Sequence, residues 1–342
     1  MATIGASLPT LLDEAKRTDP QGNIVSIVEL LTRRNPMLED MVFQEGNLTT
    51  GHRVSSRTGL PSLGWRRFNE GVSPSKSLVD NFDEACGMLE GMSVVDEALA
   101  DLNGNAAAYR ATEDAAFLQA FNNEVSTGIF YHSTKTAPEK FMGLAPRLDA
   151  TSGTIAASQV LLCEPYATVA GNDQTSMFFV TWSPDSVFGI YPRGGTAGLQ
   201  QQDLGKQLWD DLSGDSGSGY QGKKFTAWVT KWTWKIGLVV KDYRQVVRLC
   251  NIDASRITGA SLTADTFVGK LIDAYYQLND PGAGRTAIYC NRAIGAFLHK
   301  VAMSKSSSQI TIETFAGRPV TTLLGIPIRI TDAITSTEAP VQ

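Results

Sequence analysis

Apolar residues recur at two different periods along this chain, and the changes between them mark out its elements. Residues 7 to 34 carry two short runs at helical spacing. Leu8, Leu11, Leu12 and Ala15 share one face, then Ile24, Ile27, Val28 and Leu31 share another. Ser7 is placed to cap the first run and "TDPQG" separates the two. Asn35-Pro36 closes the second, because the residue before proline avoids helical geometry. Helices this small enclose no core, so the spacing predicts an arm that lies on something else. From 47 to 79 the apolar pattern fades. "NLTTGHRVSSRTGLPSLGWRRFNEGVSPSKSLV" has two polar, extended runs around the turn signal "GLPSLG". Each leg, about a dozen residues, would reach roughly 40 Å as a strand.

Helical spacing returns at Phe82, Ala85, Leu89, Met92, Val95, Leu99 and Leu102 and predicts a one-sided helix. Its other face would carry Asp80, Asp83, Glu84, Glu90, Asp96, Glu97 and Asp101. Asn103-Gly104-Asn105 interrupts, and a second helix is expected over 106–125 with Ala108, Ala111, Ala115, Leu118 and Val125 as its stripe. Beyond 127 the period falls to two. "TSMFFVTWSP" and "KFTAWVTKWTWKIGLVVKDY" read as aromatic-rich strands, with "SGDSGSGYQG" as a loop between them. Residues 264–278 read as an amphipathic helix, "RTAIYCN" as a strand, "RAIGAFLHKVAM" as a helix and "SSSQITIETFAG" as a strand. "GRPVTTLLGIPIRITDAI" alternates about Gly325 and Pro327 and predicts a closing β-hairpin ending at Asp332.

With 342 residues, 42% of them hydrophobic, the chain has material for a substantial core in two subdomains. A net charge of −5 argues against a general nucleic-acid binder. Charge is nevertheless distributed unevenly. The 47–79 stretch holds Arg53, Arg57, Arg66, Arg67 and Lys76 against Glu70 alone, followed at once by the acidic face. Cys86, Cys163, Cys250 and Cys290 show no C-x-x-C spacing and read as reduced, buried thiols. No secretory signal opens the chain and no apolar run is long enough to span a bilayer, so we expect a soluble protein made in a cytoplasm, with no membrane partner.

Catalytic patterns do not emerge. His52, His132 and His299 are far apart, with no metal-binding pair among them. "PGAGR" at 281–285 precedes a strand instead of leading from a strand into a helix, so it reads as a turn and not a phosphate loop. There is no G-x-S-x-G elbow. Trp228, Trp232 and Trp234 share a strand face; they read as core packing, with a sugar-binding platform as the rival. We therefore expect no catalytic residue, metal or cofactor. A basic limb beside an acidic face points instead to head-to-tail assembly, with Trp65 and Phe68 as apolar anchors near the limb's tip.

These residues resemble a known family. "TAIYCNRAIGAFLHKVA" followed by "GRPVTTLLGIPIRITDAI", together with the whole block from "DPQGN" to "SPSKS" and "WTWKIGLVVKDYRQVVRLCNIDAS", resembles tailed-bacteriophage major capsid proteins of a subgroup known from short-tailed phages. The resemblance implies an α+β Hong Kong 97-like capsid fold. Residues 1–46 would be the N-terminal arm and 47–79 the extended E-loop. Residues 80–126 with 313–342 would form a peripheral domain with a long spine helix, and 127–312 most of the axial domain. It implies a structural protein of the virion that self-assembles through pentamers and hexamers into an icosahedral shell around double-stranded DNA. That DNA would be packaged without sequence-specific binding, and a portal and a decoration protein would be further partners. Because the arm starts near Met1, a separate scaffolding protein is expected, and no Lys–Asn partners align for covalent cross-linking. The alternatives are an encapsulin-like cargo shell and a Trp-rich carbohydrate-active enzyme.

Overall fold

A computed structural model describes residues 35–101, 106–165, 171, 173–210, 224–258, 264–303, 310–315 and 318–342. The helical runs expected in 7–34 and the "SGDSGSGYQG" loop lie outside the described residues. In chain order the helices are α1 (Met37–Asp40), α2 (Glu97–Ala100), α3 (Ala106–Tyr131), α4 (Ala254–Thr258), α5 (Ala264–Gln277) and α6 (Arg292–Met303). The strands are β1 (Phe43–Glu45), β2 (Gly51–Gly59), β3 (Leu78–Ala85), β4 (Gly87–Asp96), β5 (Val160–Leu162), β6 (Gln174–Trp182) and β7 (Val187–Tyr191). They continue with β8 (Leu199–Asp210), β9 (Lys224–Val240), β10 (Val246–Asp253), β11 (Arg285–Cys290), β12 (Ile310–Phe315), β13 (Arg318–Leu323) and β14 (Ile326–Ile330).

The described chain forms two units. The smaller holds 88–125 and 198–235; the larger holds 35–87, 126–197 and 236–342. This grouping differs from the expected one in three places, the first being that 80–87 fall in the larger unit. Residues 198–235 join 88–125, because β8 and the first part of β9 form a sheet with β4. Residues 313–342 join the larger unit, because β14 pairs in parallel with β11, which pairs with β6.

In the smaller unit, adjacent Val94 and Val95 point to opposite faces of the sheet, as strand geometry requires. Val95 meets Ala100, Tyr109 and half-buried Trp228. Val94 meets Ala227 and Val229. The helix expected from the 82–102 stripe is overturned: residues 82–100 run through β3 of the larger unit and then β4 and the single turn α2 of the smaller one. Two glycines explain why. A Cβ on Gly91 would lie 3.1 Å from the Phe121 ring, and one on Gly87 would lie 3.2 Å from the Phe141 backbone nitrogen. Each also costs a helix about 1 kcal/mol relative to Ala. The second helix is present as α3, but Ala111, Ala115 and Leu118 are exposed, while Tyr109, Phe121 and Val125 are buried. Ala tolerates either face, so its spacing did not identify the buried side.

The larger unit is organised around β6, every residue of which is buried. It pairs antiparallel with both β10 and β11. One face, with Met177 and Phe179, packs under α5 and α6 through Phe267, Leu271, Ile294 and Leu298. On the other face the Phe178 ring lies 5.0 Å from that of Phe130 near the end of α3. Beyond β11, strands β14, β13 and β12 add in turn. The closing hairpin is therefore real, but its turn is Leu324-Gly325, with φ of 48° and 82°. Pro327 is not in the turn; it lies in β14 opposite Thr322.

Behind the last strand the chain crosses β6 as a strap. Glu338 pairs with Gln174 through the backbone, and its carboxylate meets Arg248 at 2.8 Å, Ser176 and Tyr131. Arg248 also donates to the carbonyls of Ala145 and Leu148. The Asn251 side chain then grips the Val341 backbone from both sides, at 2.8 and 3.0 Å.

Two measurements of unfolding by urea on the unassembled subunit follow. A left-handed Leu carries a strain that Asn largely escapes, so Leu324→Asn should stabilise by about 0.5–1 kcal/mol while Gly325→Ala should destabilise by about 1. Arg248→Met strands the Glu338 carboxylate in the interior and should cost about 3–5 kcal/mol, much of it recovered by adding Glu338→Leu.

Candidate functional site

Strands β2 and β3 form an antiparallel ladder from Gly51↔Ala85 to Gly59↔Leu78. Residues 60–77 continue past it as a loop of irregular backbone. The limb predicted from sequence is thus present, with different joints. Its second leg is 78–85, and "GLPSLG" makes no tight turn. The chain reverses at Arg67–Glu70, where the Glu70 N–H donates to the Arg67 carbonyl at 3.3 Å and Asn69 takes a φ of 65°. Asn tolerates that conformation better than most residues. Ser75 Oγ donates to the Ser62 carbonyl at 2.7 Å, joining the two sides of the loop.

The loop's apolar side chains have no interior to enter. Trp65 is 106% exposed and Phe68 96%, with Leu60, Leu63 and Val72 also exposed. Around them Arg57, Arg66, Arg67 and Lys76 are exposed cations. Isolated exposed apolar residues are ordinary, but here five fall within thirteen positions of one loop and make it an exposed apolar stretch.

The limb's root is built differently. Val54, Phe82 and Cys86 pack on Phe188, Ile190 and Val239. The His52 ring meets Phe188 edge-on at 5.6 Å, and burial, helped by the charge of Lys241, holds its pKa below the ordinary value. Arg147 closes the root by forking onto Glu84, with 2.7 Å between its second terminal nitrogen and Oε2. Burial works against the charge of Arg147, and the hydrogen bond and charge of Glu84 outweigh it, holding its pKa above the ordinary value.

The acidic residues expected to face a neighbour as one helical surface are redistributed. Asp83 pairs with Arg53 of the same limb at 2.6 Å, and Glu84 is buried against Arg147. Glu90 meets Lys231 at 3.0 Å, and Glu97 meets Lys206. Asp96 caps α2 by accepting from the Ala98 N–H at 2.8 Å. Asp80 and Asp101 are exposed. Strands and one helical turn spread these side chains over several directions, so no common acidic face exists. Arg53 is likewise engaged within its own chain, which leaves Arg57, Arg66, Arg67 and Lys76 as the cations carried toward the tip.

Sequence reasoning missed the buried charges. Asp40 lies within 2.8 Å of Arg285 and 3.0 Å of Arg329, and accepts from Tyr289 Oη, which itself accepts from Trp182 Nε1. Only Arg248, a lone cation in the apolar run "VVRLCNI", carried a local signal. The tryptophans do not form an open platform: Trp232 is buried, and Trp228 lies between Arg110 at 4.7 Å and Lys206 at 5.0 Å. Among the described residues no three His, Cys, Asp or Glu side chains converge as a metal site, and no helix is long and apolar enough to cross a membrane. All four cysteines are free.

The family described as major capsid protein GP7 matches residues 19–342. No curated protein matches. Among solved structures, a chain of bacteriophage Epsilon15 is 37% identical, covering 100% of this chain and 99% of its own, with a TM-score of 0.78. The capsid of bacteriophage JBD30 is 7% identical over 89% of this chain and 92% of its own, at 0.47. An encapsulin of Synechococcus elongatus is 10% identical over 72% and 96%, at 0.43. The architecture is the α+β Hong Kong 97-like capsid fold, and the encapsulin alternative is not favoured. With a family match running from residue 19 to residue 342 and a near full-length relative at 37% identity, the chain belongs to the family of major capsid protein GP7 and serves as a structural subunit of the virion shell.

Proposed function

We propose that the β2–β3 limb is the E-loop by which each subunit holds the next in the shell, and that Trp65 and Phe68 are its anchors. The observation that carries this is their exposure: two large aromatic rings on a loop that buries neither. Burying one such side chain against a neighbour contributes about 1.5–3 kcal/mol, more than an exposed ion pair at about 0–1. Arg57, Arg66, Arg67 and Lys76 then guide encounter and register.

In this reading residues 1–46 are the N-terminal arm. Residues 88–125 with 198–235 make the peripheral domain, with α3 as its spine, and 126–197 with 236–342 make the axial domain. Pentamers and hexamers of the subunit enclose double-stranded DNA, with no sequence-specific contact. Assembly takes place in the host cytoplasm with a separate scaffolding protein and a portal, and a decoration protein is a further partner. The role is one of assembly without catalysis. The acidic composition suits a container, since a strongly basic wall would bind the packaged phosphates tightly.

The test is assembly of the full chain, co-expressed with its scaffolding protein and examined by sedimentation and negative-stain microscopy. Trp65→Ala with Phe68→Ala should abolish closed particles while leaving subunit stability within about 0.5 kcal/mol of the parent, as for surface changes generally. Arg66→Glu with Arg67→Glu should slow assembly and weaken its dependence on salt. Normal particles from the aromatic double variant at the parental rate would show that the limb is not the grip.

A further inference from the structure

The root of the limb is held by several contacts, of which one is strongly directional: the guanidinium of Arg147. Arg147 meets five oxygen acceptors drawn from three parts of the chain. Two are the carboxylate oxygens of Glu84 on β3. The others are the carbonyls of Met142 at 3.1 Å, Gly143 at 3.1 Å and Leu238 on β9 at 3.2 Å. Both charged side chains are shut away from water, at 5% and 9% exposure.

Such a pair is not explained by stability. Desolvating two ions consumes most of what their attraction returns, and well-packed apolar residues often do as well. The fork differs in being directional, because guanidinium and carboxylate meet in one plane at set angles. The apolar contacts at the root, Val54, Phe82 and Cys86 on Phe188, Ile190 and Val239, have no such preference. The segment bearing Arg147 is itself immobilised. Gly143 N–H donates to the His132 carbonyl at 2.8 Å and Leu144 N–H to that of Ile129 at 2.9 Å. A Cβ on Gly143 would come within 2.6 Å of the Gly128 carbonyl oxygen, so the backbones touch there. On its far side, Arg248 holds the carbonyls of Ala145 and Leu148.

We propose that Arg147 is a positioning residue for shell assembly: its fork sets the angle at which the limb leaves the subunit, and thereby the curvature of the shell. This rests on the limb being the grip between subunits. A small change of angle at the root is multiplied along the ladder and the loop, so the tip would miss its place on the neighbour although every tip residue is intact.

The experiment separates direction from stability. Arg147→Met alone leaves Glu84 buried and unpaired and should lower thermal stability. Adding Glu84→Leu should recover the part of that loss that comes from the stranded carboxylate, though not the part from the carbonyls of Met142, Gly143 and Leu238. It should not recover assembly, because the directional fork is gone. The particles should lose their uniform size and give way to open sheets, tubes or mixed diameters. Arg147→Lys, which keeps the charge, should also broaden the size distribution. In the unassembled full chain, Cys86 is kept, because burial pushes its thiol up to about 11 and makes it slow to label. Spin labels at Ser62→Cys and Lys135→Cys should then give a narrow distance distribution for the parent and a broad one for each Arg147 variant. Uniform particles from the Met/Leu pair, or an unchanged label distribution in the Lys variant, would reduce Arg147 to an ordinary ion pair and overturn the inference. Failure of the limb reading itself appears separately, as normal assembly of the Trp65 and Phe68 double variant.

Discussion

The larger unit depends on one constraint: β6 is a strand with nowhere to put its polar groups. Gln174, Thr175, Ser176 and Thr181 are all buried, and an unsatisfied polar group in such a place costs about 1–3 kcal/mol. Thr175, Ser176 and Thr181 each find a partner far away in sequence, while the Gln174 side chain turns to its neighbour Asp173 and its backbone pairs with Glu338. Thr175 Oγ1 donates to the Thr335 carbonyl and accepts from Asn291. Ser176 bridges Arg248 and Glu338. Thr181 pairs with Thr286 across the ladder to β11. Trp182 begins the relay through Tyr289 to Asp40. The closing strap, the segment at Asp40 and β11 are all drawn to one strand because its hydrogen bonds can be completed nowhere else. Apolar packing surrounds β6; the polar accounting decides which segments do the surrounding.

The limb obeys the opposite rule. Its root is over-determined, with a buried charge fork, an apolar cluster and a paired ladder. Beyond Gly59 its residues are exposed and carry aromatics that find no cover within their own chain. This gradient is what a lever requires, since rigidity at the pivot preserves direction and the uncovered tip retains its apolar surface for a partner. A tip folded back onto its own subunit would stabilise the monomer and leave the shell with less to gain.

Much of this was legible in the sequence where one amphipathic face meets one core. The helix expected over 264–278 and the observed α5 agree to within a residue, and β6, β9, β11 and α6 fall where their periods placed them. The aromatic residues of the tip stood out because the surrounding stretch is polar. The errors have a common physical source in non-local partners. Phe82, Leu89, Met92 and Val95 fit a helix by spacing alone, and only strands β2 and β9, distant in sequence, make them strands. Glu84 and Arg147 are 63 positions apart, and Arg248 and Glu338 are 90 apart. No window read along the chain joins such pairs. The acidic stretch likewise read as a surface offered to a neighbour, when several of its members are neutralised at home.

That internal neutralisation changes how a shell of such subunits is held together. If the acids between 80 and 101 were free, subunits would attract one another at long range and in many registers. With Asp83, Glu84, Glu90 and Glu97 each paired inside their own chain, those acids add little to long-range attraction, and steering is left to the exposed cations of the limb. Selectivity passes to short-range contacts, which succeed only when limb and neighbour meet at the right angle. Apolar contact at the tip is sensitive to fit over distances of an ångström or less, through the steep fall of dispersion forces. On the proposed reading the energy of the joint resides in the tip and its specificity is set at the root, so the two can fail independently.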